Sequence, residues 1–270
     1  MLRRIVLAWL AALLMLWGMW PPISLLSFRP GPILAAQYVP TAFNHGASGG
    51  YTVSYVQSAA GTAGYGGTTV AKTFPSNMAS GDNVLACAQW YAGSTGITAT
   101  FSDSQGKTYT TDSGTLERAD STTDYTEIGV ECGHSTQTSS AAANTVTCHF
   151  TSSVGNNWCS IIEVSHSGGV VQIDQARVAT GSTANPSAGS ITPSITGTMG
   201  FAVIMQDDGS GSGTAFTAGT GWTLFQNTGG GAADEGAEYQ AVSGTSSVSG
   251  NFTGGAAHVW AAAVANYKAQ

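Results

Sequence analysis

The sequence predicts an all-β protein, folded as an antiparallel β-sandwich, from three observations. Short runs rich in Val, Ile, Thr and aromatic residues alternate with Gly, Ser, Asn and Asp turns along residues 51–270. Several of these runs alternate apolar and polar side chains with a period of two. No segment beyond residue 36 shows a convincing helical period, which argues against the helix-containing fold classes. Within the sandwiches we expect a jelly-roll-like arrangement, with an immunoglobulin-like sandwich as the alternative.

The runs define candidate strands in chain order. They lie at residues 51–58, 68–74, 83–91, 97–102, 107–111, 125–133, 144–151, 158–166, 170–178, 199–206, 222–226, 236–242, 246–253 and 257–267. Alternation is clearest where Ile128, Val130 and Cys132 share one face, a pattern typical of antiparallel strands with one solvated face. Residues 199–205 and 258–265 are almost continuously apolar, which predicts strands that are covered on both faces.

The first 36 residues have the features of an export signal. A short basic start is followed by an apolar run at residues 5–20, shorter than the roughly 20 residues of a membrane span. A second apolar stretch follows, and Leu34-Ala35-Ala36-Gln37 offers a cleavage site. We expect residues 1–36 to be a signal peptide or, alternatively, an uncleaved N-terminal anchor. Residues 37–50 are a flexible lead-in, and residues 51–270 form a single β-sandwich domain. Either way, the domain is secreted or held at the cell surface.

Charge is scarce and mostly negative. Only 9% of residues are charged, against about 25% in an ordinary soluble domain. Three of the eight basic residues, Arg3, Arg4 and Arg29, lie in the first 36 positions, which hold no acidic residue. The remaining chain is therefore strongly acidic, which argues against nucleic acid as a partner.

Short motifs in the same order resemble an uncharacterised family of bacterial secreted β-sandwich domains. They are Val56-Gln57-Ser58, Phe74-Pro75, Gly81-Asp82-Asn83-Val84-Leu85, Asp103-Ser104-Gln105-Gly106-Lys107-Thr108-Tyr109, Ile162-Glu163-Val164-Ser165-His166-Ser167-Gly168, Gly221-Trp222-Thr223, Glu238-Tyr239-Gln240 and Trp260-Ala261-Ala262. The resemblance spans about residues 52–268. It implies a jelly-roll-like sandwich in an extracellular setting, and it transfers no catalytic residue. The Glu-Val-Ser-His run departs from the aromatic Glu-Tyr-Ser of that family.

Four cysteines, all in predicted strands of the exported part, favour two disulfides. Three pairings are possible. If residues 125–133 and 144–151 form a hairpin, Cys132 lies opposite Cys148, which leaves Cys87 to pair with Cys159. Four buried free thiols are the alternative, and the spacing does not suit zinc.

Aromatic residues at strand ends beside Gly-rich loops are the candidate ligand platforms. Trp90, Tyr91 and Trp222 fit this description best. An exposed ring with nearby amides and carboxylates suits sugar binding, although most Trp residues in sandwiches pack in cores or rims. Tyr109, Trp158 and Tyr239 are further aromatic candidates.

Carboxylates give little support to a glycoside hydrolase, which needs two of them facing each other across a cleft. Glu127 and Glu131 share a strand face about 13 Å apart, which is too far. Glu163 lies alone in an apolar strand. The stretch Gly209-Ser210-Gly211-Ser212-Gly213 matches the Gly-x-Ser-x-Gly pattern of a nucleophile elbow. The match is compositional, because the sequence predicts no strand-to-helix turn there.

Calcium is the one metal ion that the acidic residues suggest. Asp207 and Asp208 open a Gly-rich loop, and Asp234 and Glu235 lie in another, but their spacing matches no EF-hand or nonapeptide pattern. Solvated turn residues are the alternative. The five His residues show no metal-binding spacing, and we expect no other cofactor.

The sequence therefore favours an exported, non-catalytic binding or adhesion module, with glycans or cell-surface components as partners. A structural subunit of a surface layer or filament is the first alternative, because bare edge strands permit self-assembly. An extracellular glycoside hydrolase is the second.

Overall fold

The computed structural model describes most of the predicted sandwich domain. The described residues are 50–61, 64–120, 126–138, 141–207, 215–228, 233–255 and 257–270. Every regular element in these ranges is a β-strand, which confirms the predicted all-β fold class. The predicted leader, residues 1–36, and all of the lead-in except Gly50 lie outside the described residues.

Fifteen strands lie within the described ranges. They are β1 (Val53–Ala59), β2 (Gly64–Thr73), β3 (Asn83–Ala92), β4 (Ala99–Asp103), β5 (Tyr109–Thr111), β6 (Glu117–Asp120), β7 (Glu127–Ser135), β8 (Thr145–His166), β9 (Val171–Gly181), β10 (Ser187–Ile191), β11 (Thr198–Asp207), β12 (Thr223–Thr228), β13 (Ala233–Val242), β14 (Val248–Asn251) and β15 (Trp260–Ala269). β6 and β10 are absent from the predicted strands.

Two antiparallel sheets form the sandwich. The first has the order β1-β8-β3-β7-β5, with β2 and β4 also pairing with β8, and β6 with β7. The second has the order β12-β13-β11-β15-β9. Val130 and Ile162 of the first sheet pack against Phe201, Val203 and other residues of the second, forming a central core. The predicted β-sandwich is therefore confirmed.

A second core lies on the outer face of the first sheet. There the beginning of β8, with β2 and β4 beside it, forms a cover layer over β3. Val146 and Phe150 of this layer point inward and pack against Ala86 and Trp90. β3 is therefore buried on both faces, as its burial along the whole strand shows.

β8 forms this cover layer because it turns back over itself. Its 22 residues replace two predicted strands, 144–151 and 158–166. The register with β2 shifts between Gly67 and Thr69, whose partners are Val154 and His149. The bend brings the Cα atoms of Cys148 and Cys159 to 5.9 Å, whereas eleven extended residues span roughly 36 Å.

The disulfides follow from this topology and correct the predicted pairing. The structure joins Cys87 to Cys132 and Cys148 to Cys159, so the predicted Cys132–Cys148 and Cys87–Cys159 bridges are wrong. β3 lies between β7 and β8 in the sheet, so the expected hairpin does not form. Cys132 instead faces Cys87 directly on β3.

A third core covers the outer face of the second sheet. β10 and β14 pair with each other, and their neighbourhood packs Ala188 and Phe252 against Ile204 and Val264. β11 and β15 are therefore covered on both faces, which explains their nearly continuous apolar sequences.

Candidate functional site: the Trp222 pocket

A pocket of about 260 Å³ opens on the outer face of the second sheet, beside Trp222. We call it the Trp222 pocket. Its lining comes from the turn before β12, the end of β13 and the segment around β14. The lining residues are Thr220, Trp222, Gln240, Ser247, Val248, Ser249 and Asn251.

A tight turn positions Trp222. Its backbone N–H donates to the Gly219 carbonyl at 3.0 Å, and Gly221 between them has a φ of +83°. A positive φ at this place in a β-turn favours glycine. The indole crosses over Gly200, where an added Cβ would lie 2.9 Å from Trp222 Cη2. Trp222 is 7% exposed, so the ring forms a wall of the pocket and does not stand free as a platform.

The polar lining is held by neighbouring strands. The Asn251 carboxamide oxygen accepts a hydrogen bond from the Ser187 hydroxyl on β10. The Ser247 hydroxyl donates to the Ile191 carbonyl at 3.2 Å, and the Ser249 hydroxyl bonds to that of Ser190. The pocket therefore presents carboxamide and hydroxyl groups in fixed positions beside an indole wall.

None of the lining residues is charged. The nearest carboxyl on the same face of β13 is that of Glu238, which is fully buried and accepts the Gly219 N–H at 2.9 Å. Burial raises the pKa of Glu238 to about 8, so this carboxyl is mainly protonated at pH 7. The pocket and its support are therefore electrically neutral near neutral pH.

The structure places the three predicted aromatic platforms in three separate cores. Trp90 is 0% exposed, and its indole N–H donates to Glu127 at 3.1 Å. Tyr91 is 1% exposed, and its hydroxyl donates to Asp207 at 3.1 Å. Neither ring presents a face to solvent, and neither joins the Trp222 pocket. Of the three, Trp222 lines the pocket described above.

Of the predicted calcium ligands, Asp207 on β11 pairs with Ala233, so Asp234 and Glu235 follow directly on the neighbouring strand β13. Asp207 is buried beneath the Tyr91 hydroxyl, and Asp208 lies outside the described residues. Asp234 and Glu235 are buried on β13, where burial raises the pKa of Glu235 to about 8. In the part of the chain that the structure describes, no group of three or more His, Cys, Asp or Glu residues could hold a metal ion.

The carboxylates considered for catalysis accept hydrogen bonds from the backbone of neighbouring segments. Glu127 accepts the backbone N–H groups of Gly96 and Ile97, and Glu131 accepts that of Ala99 at 2.6 Å. Both are buried beneath the segment that leads into β4 and the start of that strand, not on a solvated face as the alternation predicts.

Glu163 is also enclosed. It is 0% exposed, and its two oxygens accept hydrogen bonds from the Gln57 side chain and the Ala79 backbone N–H. Burial and a hydrogen bond to Glu163 raise the pKa of Asp82 to about 7. These carboxyls anchor the connection between β2 and β3.

Sequence reasoning missed the polar half of the pocket. Gln240, Ser249 and Asn251 fall within predicted strands, but alternation does not reveal that β14 pairs with β10 above the sheet containing β13. The Gly-rich turn beside Trp222 is the one signal of the pocket that the sequence offers.

Comparison with known proteins identifies no relative. No family model matches the chain, and neither does any curated protein or solved structure. The family resemblance expected from the motifs is thus supported only as far as a β-rich fold. Two disulfides indicate an oxidising compartment. The described residues include no helix long and apolar enough to cross a membrane.

Proposed function

We propose that the protein is an exported, non-catalytic module that binds neutral glycans in the Trp222 pocket. The observation that carries this proposal is the uncharged pocket, which combines an indole wall with carboxamide and hydroxyl groups. Ligand sites commonly join apolar surface to a few fixed polar groups in this way.

Sugars match this lining in two respects. Their C–H faces pack against aromatic rings, and their hydroxyl groups exchange hydrogen bonds with amides and hydroxyls. An acidic or phosphorylated ligand is disfavoured, because no cationic side chain lines the pocket and the chain has a formal charge of −7. Export places the module where such glycans occur, and the two disulfides suit that setting.

Binding of the full-length protein to glucan, xylan, mannan and chitin fragments, measured by isothermal titration calorimetry, tests the proposal. We expect at least one neutral glycan to bind, and Ser247→Arg to weaken that binding at least about tenfold, or 1.4 kcal/mol. Ser247 is exposed at the pocket, so the long cationic side chain obstructs the cavity without removing a core contact.

Ser246→Arg is the matched control, since Ser246 is exposed and does not line the pocket. Trp222→Ala is expected to abolish binding, with circular dichroism used to check that the variant is folded. Absence of binding to every neutral glycan, or equal loss in the Ser246 and Ser247 variants, would refute the proposed function.

A further inference from the structure

A second depression lies at the same end of β13, on the side of the strand that faces the first sheet. This groove of about 530 Å³ is lined by the start of β1, the turn before β11 and the end of β13. We call it the Tyr55 groove. Its lining includes the buried residues Val53 and Val242 and the hydroxyl-bearing residues Ser54, Thr196 and Ser243.

One wall of the Tyr55 groove is aromatic. Tyr55 stacks on Tyr239, with ring centroids 4.0 Å apart and planes within 3°. The stack joins β1 of the first sheet to β13 of the second and holds the Tyr55 ring in place. Like the Trp222 pocket, the groove is lined by no charged residue.

The end of β13 separates the two cavities. Gln240 lines the Trp222 pocket, and the next three residues, 241–243, line the Tyr55 groove. Pairing with β12 stops at Tyr239, which faces Thr223. The last residues of β13 therefore have no partner in the β12 ladder, and both cavities adjoin this end of the strand.

We propose that the Tyr55 groove is a second subsite, and that the ligand is a neutral oligosaccharide chain of several units that crosses the end of β13. This inference rests on the proposed function of the Trp222 pocket. The pocket alone is smaller than the roughly 300–1,000 Å³ of a typical ligand site, whereas the groove lies within that range. One sugar ring suits the pocket, and further units of the same chain suit the groove.

The groove fits a glycan better than an added peptide strand. Peptide strands bind through free backbone groups along a regular sheet edge. Along β1, the strand that borders the groove, the Val53 N–H already donates to the Gly197 carbonyl at 2.8 Å, and the register shifts between Tyr55 and Gln57. The apolar floor with a hydroxyl-containing lining instead matches the alternating C–H and hydroxyl surface of a sugar chain.

The test uses the neutral polysaccharide that binds best to the full-length protein, cut into a series from monosaccharide to hexasaccharide. We expect the affinity to rise at least about tenfold with chain length and then to level off, because linked contacts add without new association cost. Ala241→Arg, which places a long side chain at an exposed position in the groove, should remove this gain and leave monosaccharide binding unchanged.

Ala71→Arg on the exposed face of β2 is the matched control and should behave like the unaltered protein. We expect the ring of Tyr55 to contact the oligosaccharide. Tyr55→Phe should therefore retain the rise of affinity with chain length, and Tyr55→Ala should lose it. Equal affinity for all chain lengths, or a gain that survives Ala241→Arg, would overturn the second subsite while leaving the pocket's function intact. Failure of every glycan to bind would instead defeat the proposed function itself.

Discussion

At the scale of single residues, the acidic side chains are used mainly inside the fold. Among the described residues, nine acidic side chains are buried: Asp82, Asp112, Glu127, Glu131, Glu163, Asp207, Asp234, Glu235 and Glu238. Buried polar groups are stable when hydrogen-bonded. Glu127, Glu131 and Glu163 meet this condition by accepting main-chain N–H groups of segments that lie over them.

Glu163→Ala tests this structural role. The substitution leaves the Gln57 side chain and the Ala79 N–H without their acceptor, and each buried unsatisfied donor costs about 1–3 kcal/mol. We expect the free energy of unfolding, measured by urea denaturation, to fall by about 3 kcal/mol. Glu117→Ala, at a partly exposed position on β6, should change it by less than about 1 kcal/mol. Similar losses in the two variants would contradict the anchoring role.

Whether a given Trp is buried or lines a cavity cannot be predicted from the sequence around it. Trp90 and Trp222 both lie at ends of predicted strands next to Gly-rich segments, and the sequence does not distinguish them. The structure buries Trp90 under the cover layer and leaves Trp222 at a cavity wall. The difference depends on which face is covered by residues distant in the chain, and local alternation carries no information about that.

At the scale of elements, the bend in β8 sets the arrangement of the first sheet. The sequence correctly predicts β-structure on both sides of residues 152–157, and the Gly and Asn residues there indicate a change of direction. It does not show that one strand continues through the bend, because that depends on β2 following the same path alongside. β6 and β10 are not predicted for a related reason. Both are short and consist mainly of polar or small residues, so they form strands because of the strands with which they pair.

Removal of either disulfide tests how the bend is stabilised. Loop-closure entropy predicts a loss of about 3 kcal/mol for Cys148→Ala/Cys159→Ala, which opens a separation of 11 residues, and about 4 kcal/mol for Cys87→Ala/Cys132→Ala, with a separation of 45. Hydrogen exchange should distinguish their locations. The first variant should lose protection in β2 and β4, while the β3–β7 pairing stays protected.

The second disulfide variant is the control for that experiment. It leaves the bend bridged, so β2 and β4 should keep their protection relative to β3 and β7. Uniform loss of protection across all four strands in the Cys148 variant would show that the cover layer is not a separate stabilising unit.

At the scale of the whole molecule, buried carboxyls make stability depend on pH. The pKa of Asp82 is raised from 3.8 to about 7, and those of Glu235 and Glu238 from 4.5 to about 8, in each case chiefly by burial. Between about pH 4 and pH 8 the folded protein holds protons that the unfolded chain has released. The free energy of unfolding should therefore fall as the pH rises through this window.

Thermal unfolding at pH 5.5 and pH 8.5 measures this effect, and we expect the higher melting temperature at pH 5.5. Glu238→Gln should reduce the difference, because the amide does not titrate. Asp174 has the opposite effect on stability. Hydrogen bonds from Ser194 and Lys268 lower its pKa, so its contribution to the free energy of unfolding is lost only as the pH falls below its ordinary pKa of 3.8. A melting temperature that rises from pH 5.5 to pH 8.5 would contradict this account.

The protonation of the buried acidic side chains also affects how the protein encounters charged and uncharged partners. The raised pKa values of Asp82, Glu235 and Glu238 keep part of the acidic side chains neutral near pH 7, and the rest leave the protein with a negative charge. The long-range electrostatic field of such a protein repels an acidic polymer, but it neither guides nor repels an uncharged one. Encounters with a neutral glycan therefore depend on diffusion and on contact at short range, and their rate should be the same at low and at high salt concentration.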